Sequence, residues 1–237
     1  MESIKNKVAY ITGGSKGIGL GIAQKLMDAE MRVAITGRNS DTLQQALKLL
    51  GNSNNVLTIV SDVSNPVDEK NAIAHVKEKW GQVDVVIANA GVGHFAPVDE
   101  LSIAQWKNMI NVNLNGVFNT LKASVDALKQ SKGYYISIAS LAGTNFFASG
   151  AGYNATKFGV VGFTQAAMLD LRKYDIKVST IMPGSVASHF NNNTPAAKDD
   201  WKIQPEDIGE LVLDLLKMNP RTLPSKIEVR PTRPDKK

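Results

Sequence analysis

Short apolar runs alternate along the chain with longer stretches in which apolar residues recur every three or four positions. The runs at 7–12, 32–36, 56–60, 83–88, 134–139, 177–182 and 226–230 predict strands. The stretches at 19–29, 41–50, 66–80, 103–130, 153–174 and 205–218 predict helices. The first six strands are apolar almost throughout and show no in–out alternation. A strand reads that way when helices cover both of its faces, as in a parallel sheet. Regular strand–helix alternation with right-handed crossovers then predicts an α/β fold: a doubly wound, Rossmann-type parallel sheet of about seven strands with helices on both faces.

The pattern lapses at 185–204, where Asn191-Asn192-Asn193-Thr194-Pro195 gathers turn formers. Its place directly after a strand marks it as a substrate loop. The tail 231–237 is expected to be extended and partly loose. No linker or internal repeat divides the chain, so residues 1–237 are expected to form one nucleotide-binding domain containing its own catalytic site. A length of 237 residues suits one large α/β domain.

Composition mainly excludes. The 27 basic and 22 acidic residues leave a net charge of +5 that is spread along the chain, with no basic run that would argue for nucleic acid. The absence of cysteine removes disulfides and thiolate metal sites. The three histidines, His75, His94 and His189, have no metal-ligand spacing. No apolar run reaches the ~18 residues of a membrane span, and no secretory leader opens the chain. A cytoplasmic protein is expected.

Chemistry gathers where predicted strands end. The turn Thr12-Gly13-Gly14-Ser15-Lys16-Gly17-Ile18-Gly19 lies between the first strand and the first helix. Glycines there allow tight backbone and close approach to a pyrophosphate, and the free N–H groups of the helix start face the anion. The second strand ends at Gly37-Arg38, where NAD-selective sites usually carry a carboxylate for the ribose 2′-hydroxyl. Arg38 and Lys16 could instead pair with a 2′-phosphate, so NADP(H) is favoured over NAD(H). Asp62, followed by Val63, could accept a hydrogen bond from an adenine amino group or cap the next helix, in competition with Ser64 and Asn65. The small residues of Ala88-Asn89-Ala90-Gly91 leave room for the cofactor.

Tyr153 and Lys157 are four residues apart on a predicted helix and share a face. A neighbouring ammonium favours phenolate and lowers the phenol pKa, which suits proton transfer near neutrality. The lysine could also bond the nicotinamide ribose. Ser140, just past the fifth strand, could orient a carbonyl oxygen. Phe95, Phe146, Phe147 and Phe190 are candidates for an apolar substrate wall or for ordinary packing. His94 and His189 are placed in loops near the substrate mouth.

Together these motifs resemble the short-chain dehydrogenase/reductase family, in its shorter single-domain branch, over residues 5–218. The resemblance rests on the glycine turn, Asp62, Asn89-Ala90-Gly91, Asn113, Ser140, Tyr153 with Lys157, and Pro183-Gly184. It implies hydride transfer between a nicotinamide and a small carbonyl or alcohol, with Tyr153 as the acid in reduction and the base in oxidation. Lys157 would lower the tyrosine pKa and hold the ribose, and Ser140 would position the carbonyl. Asn113 resembles the asparagine that holds a proton-relay water, with Asn111 and Asn115 as nearby decoys. Pro183, Gly184, Val186 and Ser188 resemble the segment that binds the nicotinamide carboxamide.

A homodimer or homotetramer follows from the same resemblance, with contacts on the long helix and on the helix of Tyr153. Carrier-protein reductases of the family end in a strand and a Gly-Gly segment, where this chain has Ile227-Glu228-Val229-Arg230-Pro231. A 3-oxoacyl carrier-protein reductase is therefore the second reading, and a non-catalytic NADP(H) sensor the third.

Overall fold

The computed structural model describes residues 3–233. The first two residues and the tail residues 234–237 lie outside it, and with them part of the tail expected to be extended. Seven strands form one parallel sheet in the order β3-β2-β1-β4-β5-β6-β7. They are β1 (Val8–Ile11), β2 (Arg32–Gly37), β3 (Val56–Val60), β4 (Val85–Ala88), β5 (Tyr134–Ile138), β6 (Lys177–Pro183) and β7 (Lys226–Val229). The helices are α1 (Gly17–Asp28), α2 (Ser40–Leu49), α3 (Pro66–Trp80), α4 (Ile103–Met109), α5 (Gly116–Ser131), α6 (Ala151–Leu171) and α7 (Pro205–Lys217). This is the doubly wound α/β architecture that the hydrophobic pattern predicts.

β1 shows why the pattern has no alternation. Ala9 and Ile11 enter a core with Ile22 and Leu26 of α1 and Ile208 and Val212 of α7. Val8 and Tyr10 enter the opposite core with Ile73 of α3, Leu128 of α5 and Val160 of α6. Successive side chains point to opposite faces, and both faces are dry.

Helix boundaries follow local chemistry. The Asn39 side chain accepts from Thr42 N at 2.9 Å to start α2, and Asn65 accepts from Val67 N at 3.0 Å to start α3. Asn65, rather than Asp62, therefore caps α3. Gly81, at φ 80°, ends it.

The single helix expected over 103–130 is interrupted. A π turn at Ile110–Asn115 separates α4 from α5. The buried Asn113 side chain bonds both backbone groups of Val92, and Gly116 allows close approach to Val63, whose Cγ2 would lie 2.6 Å from an added Cβ. A π turn adds one residue to the helical turn. Apolar periodicity does not register that insertion.

A buried carboxyl ties α3 to the sheet and to α5. Glu69 has no solvent exposure. It accepts from Tyr10 Oη at 3.0 Å, Ser61 Oγ at 2.8 Å and Thr120 Oγ1 at 2.8 Å. Burial raises its pKa above the ordinary carboxyl value, and the Ser61, Thr120 and Tyr10 hydroxyls pull it part of the way back. Because the folded-state value is the higher one, its stabilisation is complete below the unfolded-state pKa and is lost as pH rises through the folded-state pKa. Glu69→Gln is therefore expected to flatten the fall of the thermal midpoint as pH rises above the ordinary carboxyl range. Equal slopes for the two proteins, measured by circular dichroism, would refute that account.

Candidate active site

The C-terminal ends of the strands open into one cleft of about 1500 Å³. Ligands bind at this edge in doubly wound sheets, where strand order reverses. Here the reversal lies between β1 and β4.

The phosphate end is built around Thr12. Its hydroxyl accepts the backbone N–H groups of Asn89 at 3.0 Å and Ala90 at 3.1 Å. Asn89 Nδ2 donates back to the carbonyls of Thr12 at 2.9 Å and Gly13 at 3.1 Å. The glycine turn and the 89–91 segment are thus locked together. Sequence reasoning missed Thr12 as an anchor; its position at the strand end immediately before the glycines was the available signal.

Gly13 has φ 63°, and a Cβ on it would lie 2.9 Å from Ala90 Cα. A Cβ on Gly19 would lie 2.5 Å from the Gly13 carbonyl oxygen. These glycines keep the turn flat enough for an anion to reach the start of α1. No side chain caps that helix, and its first turn holds no acidic residue. Its free N–H groups and positive dipole end suit a phosphate. Ser15 and Ile18 line the cleft beside them, and Gly17 faces Ser188 across it, 3.3 Å separating an added Cβ from that of the serine.

Lys16 and Arg38 also line this end, and neither has an ion-pair partner among the described residues. Asp62 and Val63 border the cleft after β3. Asp62 Oδ1 accepts from Ser64 N at 2.9 Å and Ser64 Oγ at 2.7 Å, which holds the carboxylate in place. The donor set therefore fits a dinucleotide.

At the other end, α6 presents Tyr153 and Lys157 one turn apart, and both are buried. Lys157 Nζ donates to Ile138 O at 3.0 Å and stands 5.6 Å from the centroid of the Tyr153 ring. Ser140, Ala90, Gly91, Pro183, Gly184 and Val186 line the same region.

Burial pushes the Tyr153 phenol up to about 12, with the Ser140 hydroxyl acting in the opposite direction. Burial pushes the Lys157 ammonium down to about 8. In the free protein burial is the larger influence on the phenol and the Ser140 hydroxyl the opposing one.

Asn113 is one layer behind the cleft wall. Its Oδ1 accepts from Val92 N at 2.8 Å, and its Nδ2 donates to Val92 O at 2.9 Å and Thr156 Oγ1 at 3.1 Å. Its side chain braces the 91–93 segment against α6. Asn115 and Asn111 bond each other at 3.1 Å on the exposed side.

The segment 185–204 is closed at its base. Ala187 N donates to Ile203 O at 2.9 Å, and Ile203 N donates to Ser185 O at 3.1 Å. Phe190 and His189 reach the cleft from this loop. His94 also lines the cleft, with Nε2 3.0 Å from Asn108 Oδ1, whereas His75 is exposed on α3.

Asn154 was not legible in the sequence. Its Nδ2 donates to the carbonyls of Ala142 and Asn145, both at 2.7 Å, and fixes the loop between β5 and α6 next to Tyr153.

A fold of this kind with a Tyr-x-x-x-Lys pair at its sheet edge defines a nucleotide-dependent oxidoreductase class, and comparison with known proteins agrees. The family model described as short chain dehydrogenase matches residues 7–199. The chain belongs to the short-chain dehydrogenase family. It is 31% identical to an uncharacterised oxidoreductase of Staphylococcus saprophyticus, over 98% of this chain and 100% of that protein. An alcohol dehydrogenase from the archaeon Thermococcus sibiricus, solved in complex with 5-hydroxy-NADP, has 32% identity and a TM-score of 0.89, covering 97% of this chain and 99% of that one. A metagenomic short-chain oxidoreductase in complex with NADP has 32% identity and a TM-score of 0.85, over 98% of this chain and 100% of that one.

Among the described residues no helix is long and apolar enough to cross a membrane.

Proposed function

We propose that the protein is an NADP(H)-dependent reductase or dehydrogenase of small carbonyl and alcohol compounds. The observation that carries this reading is the convergence of Ser140, Tyr153 and Lys157 on the cleft that also holds the glycine turn. The bound nicotinamide would supply or accept the hydride.

Every other step falls to the chain. Ser140 holds the carbonyl oxygen. The Tyr153 hydroxyl gives that oxygen its proton in reduction, and the phenolate takes it back in oxidation. The Lys157 ammonium holds the ribose and, by its charge, favours the phenolate. Asn113, in the π turn, holds the relay water. Asp62 accepts from the adenine amino group. Pro183, Gly184, Val186 and Ser188 form the wall for the carboxamide.

Arg38 and Lys16 support NADP(H), since both are free cations at the ribose end of the cleft among the described residues. The nicotinamide nucleotides in the two solved relatives support the same nucleotide class. A homodimer or homotetramer is supported by apolar rings left in water on α5 and α6: Phe118 and Phe158 are exposed, and Phe118 meets Phe163 edge-on at 6.1 Å.

The test is NADPH and NADH oxidation with a panel of ketones, aldehydes, diketones and 3-oxoacyl thioesters, followed over pH 6–10. Turnover with NADPH preferred is expected. Lys157 is charged below about 8 and neutral above it, while Tyr153 stays protonated until about 12. The kcat/KM for NADPH in reduction should therefore be level at pH 6–7 and fall above about 8. No oxidation of either nucleotide with any carbonyl, despite nucleotide binding, would overturn the reading in favour of a sensor. A profile level to pH 9.5 would remove Lys157 from it.

A further inference from the structure

The rings around Tyr153 point to a substrate class, an inference that rests on the carbonyl chemistry proposed above. Phe95 meets the Tyr153 ring edge-on, 5.4 Å between centroids at 67°. Phe190 is tilted against the same ring at 5.6 Å. Phe95 also meets Phe147 at 5.9 Å and Phe190 at 6.4 Å. The four rings come from three separate loops and from α6. Gly93 makes space for the cluster, since an added Cβ would lie 2.7 Å from Phe190 Cζ and 3.0 Å from Phe95 Cζ.

The cluster is incomplete. Phe147, which lines the cleft, is 50% exposed, and Phe95, which packs on the Tyr153 ring outside the cleft lining, is 40% exposed. Aromatic faces left in water beside a catalytic group mark a place where an apolar ligand removes that contact with water. Asn154 steadies this wall, because it fixes the Asn145 carbonyl of the loop that carries Phe147.

Charge narrows the class further. Lys16 and Arg38 lie at the glycine-turn end of the cleft. Lys202 is paired with Asp199 at 2.7 Å, and Arg230 with Glu228 at 3.0 Å. Lys157 is buried and bonded to Ile138 O. Among the described residues that line the cleft, no unpaired cation accompanies the ring cluster. A carboxylate or phosphate on the substrate would find no unpaired lysine or arginine there.

We propose that the substrates are uncharged aryl ketones and aldehydes, with the aromatic ring seated against Phe147 and Phe190, which line the cleft, and the carbonyl at Ser140 and Tyr153. In reduction the carbonyl carbon receives a hydride from NADPH and the oxygen takes the Tyr153 proton, which yields the benzylic alcohol and NADP⁺. A flat ring can lie edge-to-face or offset against these phenyl groups. A saturated ring of similar size buries comparable area without that geometry.

Acetophenone and cyclohexyl methyl ketone separate the two effects. Their kcat/KM is measured with saturating NADPH, and their dissociation constants by calorimetry on the protein saturated with NADP⁺. Acetophenone is expected to be preferred by about tenfold or more in both, the equivalent of one aromatic pair. Phe147→Leu and Phe190→Leu should shrink that ratio to within about twofold, raising KM more than they lower kcat. Equal affinities for the two ketones, or a ratio unchanged in both variants, would overturn the proposal. If aryl binding is preferred and falls in the variants while neither ketone is reduced, the aryl site stands and the hydride-transfer reading fails. Reduction of both ketones without preference leaves that reading intact and removes the aryl site.

Discussion

Tyr153→Phe is expected to lower kcat by about 10³-fold, in the range typical of a lost general acid, while the NADPH dissociation constant changes by less than about twofold. The substitution removes one oxygen and leaves the ring. Phe95 and Phe190 keep their contacts at 5.4 Å and 5.6 Å, so the wall of the cleft persists. The phosphate end, with the Thr12–Asn89 lock and the start of α1, is untouched. What disappears is a hydroxyl that burial holds at a pKa of about 12 in the free protein. At pH 7 it is protonated and ready to give a proton to a carbonyl oxygen. Rate and binding should therefore separate cleanly in steady-state and equilibrium measurements. A variant that keeps more than about a tenth of the wild-type kcat would show that another group or water supplies the proton.

Arg38→Asp is expected to move the ratio of kcat/KM for NADPH over NADH toward NADH by about 100-fold, the upper range for one charge-assisted bond. Arg38 follows β2 and lines the cleft with no carboxylate paired to it among the described residues. Its guanidinium can form two parallel bonds to a 2′-phosphate. Aspartate in its place repels that phosphate and accepts from a ribose 2′-hydroxyl instead. Lys16 remains in the variant and keeps part of the NADPH affinity, so loss of preference is expected before full reversal. An unchanged ratio would show that Arg38 does not read the 2′ position.

The two expectations draw on different levels of information. Strand positions were legible because β1, β2, β4, β5 and β6 are buried on both faces, while the edge strands β3 and β7 are only partly covered. β3 was expected at 56–60 and found there, and α3 at 66–80 likewise, since Asn65, Pro66 and Gly81 mark its ends chemically. The i, i+4 spacing of Tyr153 and Lys157 placed them on one helix face before any coordinates. The glycine turn was legible from its place between an apolar run and a helical pattern.

Other features had no local signal. The π turn at Ile110–Asn115 carries Asn113, whose side chain bonds the backbone of Val92, 21 residues away in sequence. The Thr12–Asn89 lock spans 77 residues, and the Asn154 bonds reach across a loop. The buried Glu69 was ordinary in sequence, one acidic residue in a polar helix turn. Only the packing of β1, β3 and α5 around it makes it a buried carboxyl with a raised pKa, held by three hydroxyls.

By itself the sequence determined the fold class, the strand edge at which chemistry gathers and the residue types that carry it, because these depend on periodicity and short spacings. The tertiary structure alone decided the electrostatics and the shape of the site. The pKa values of Tyr153 and Lys157 are set by how completely water is removed from them, and the aromatic wall by which loops meet over α6. Both are products of long-range packing, which no local pattern records.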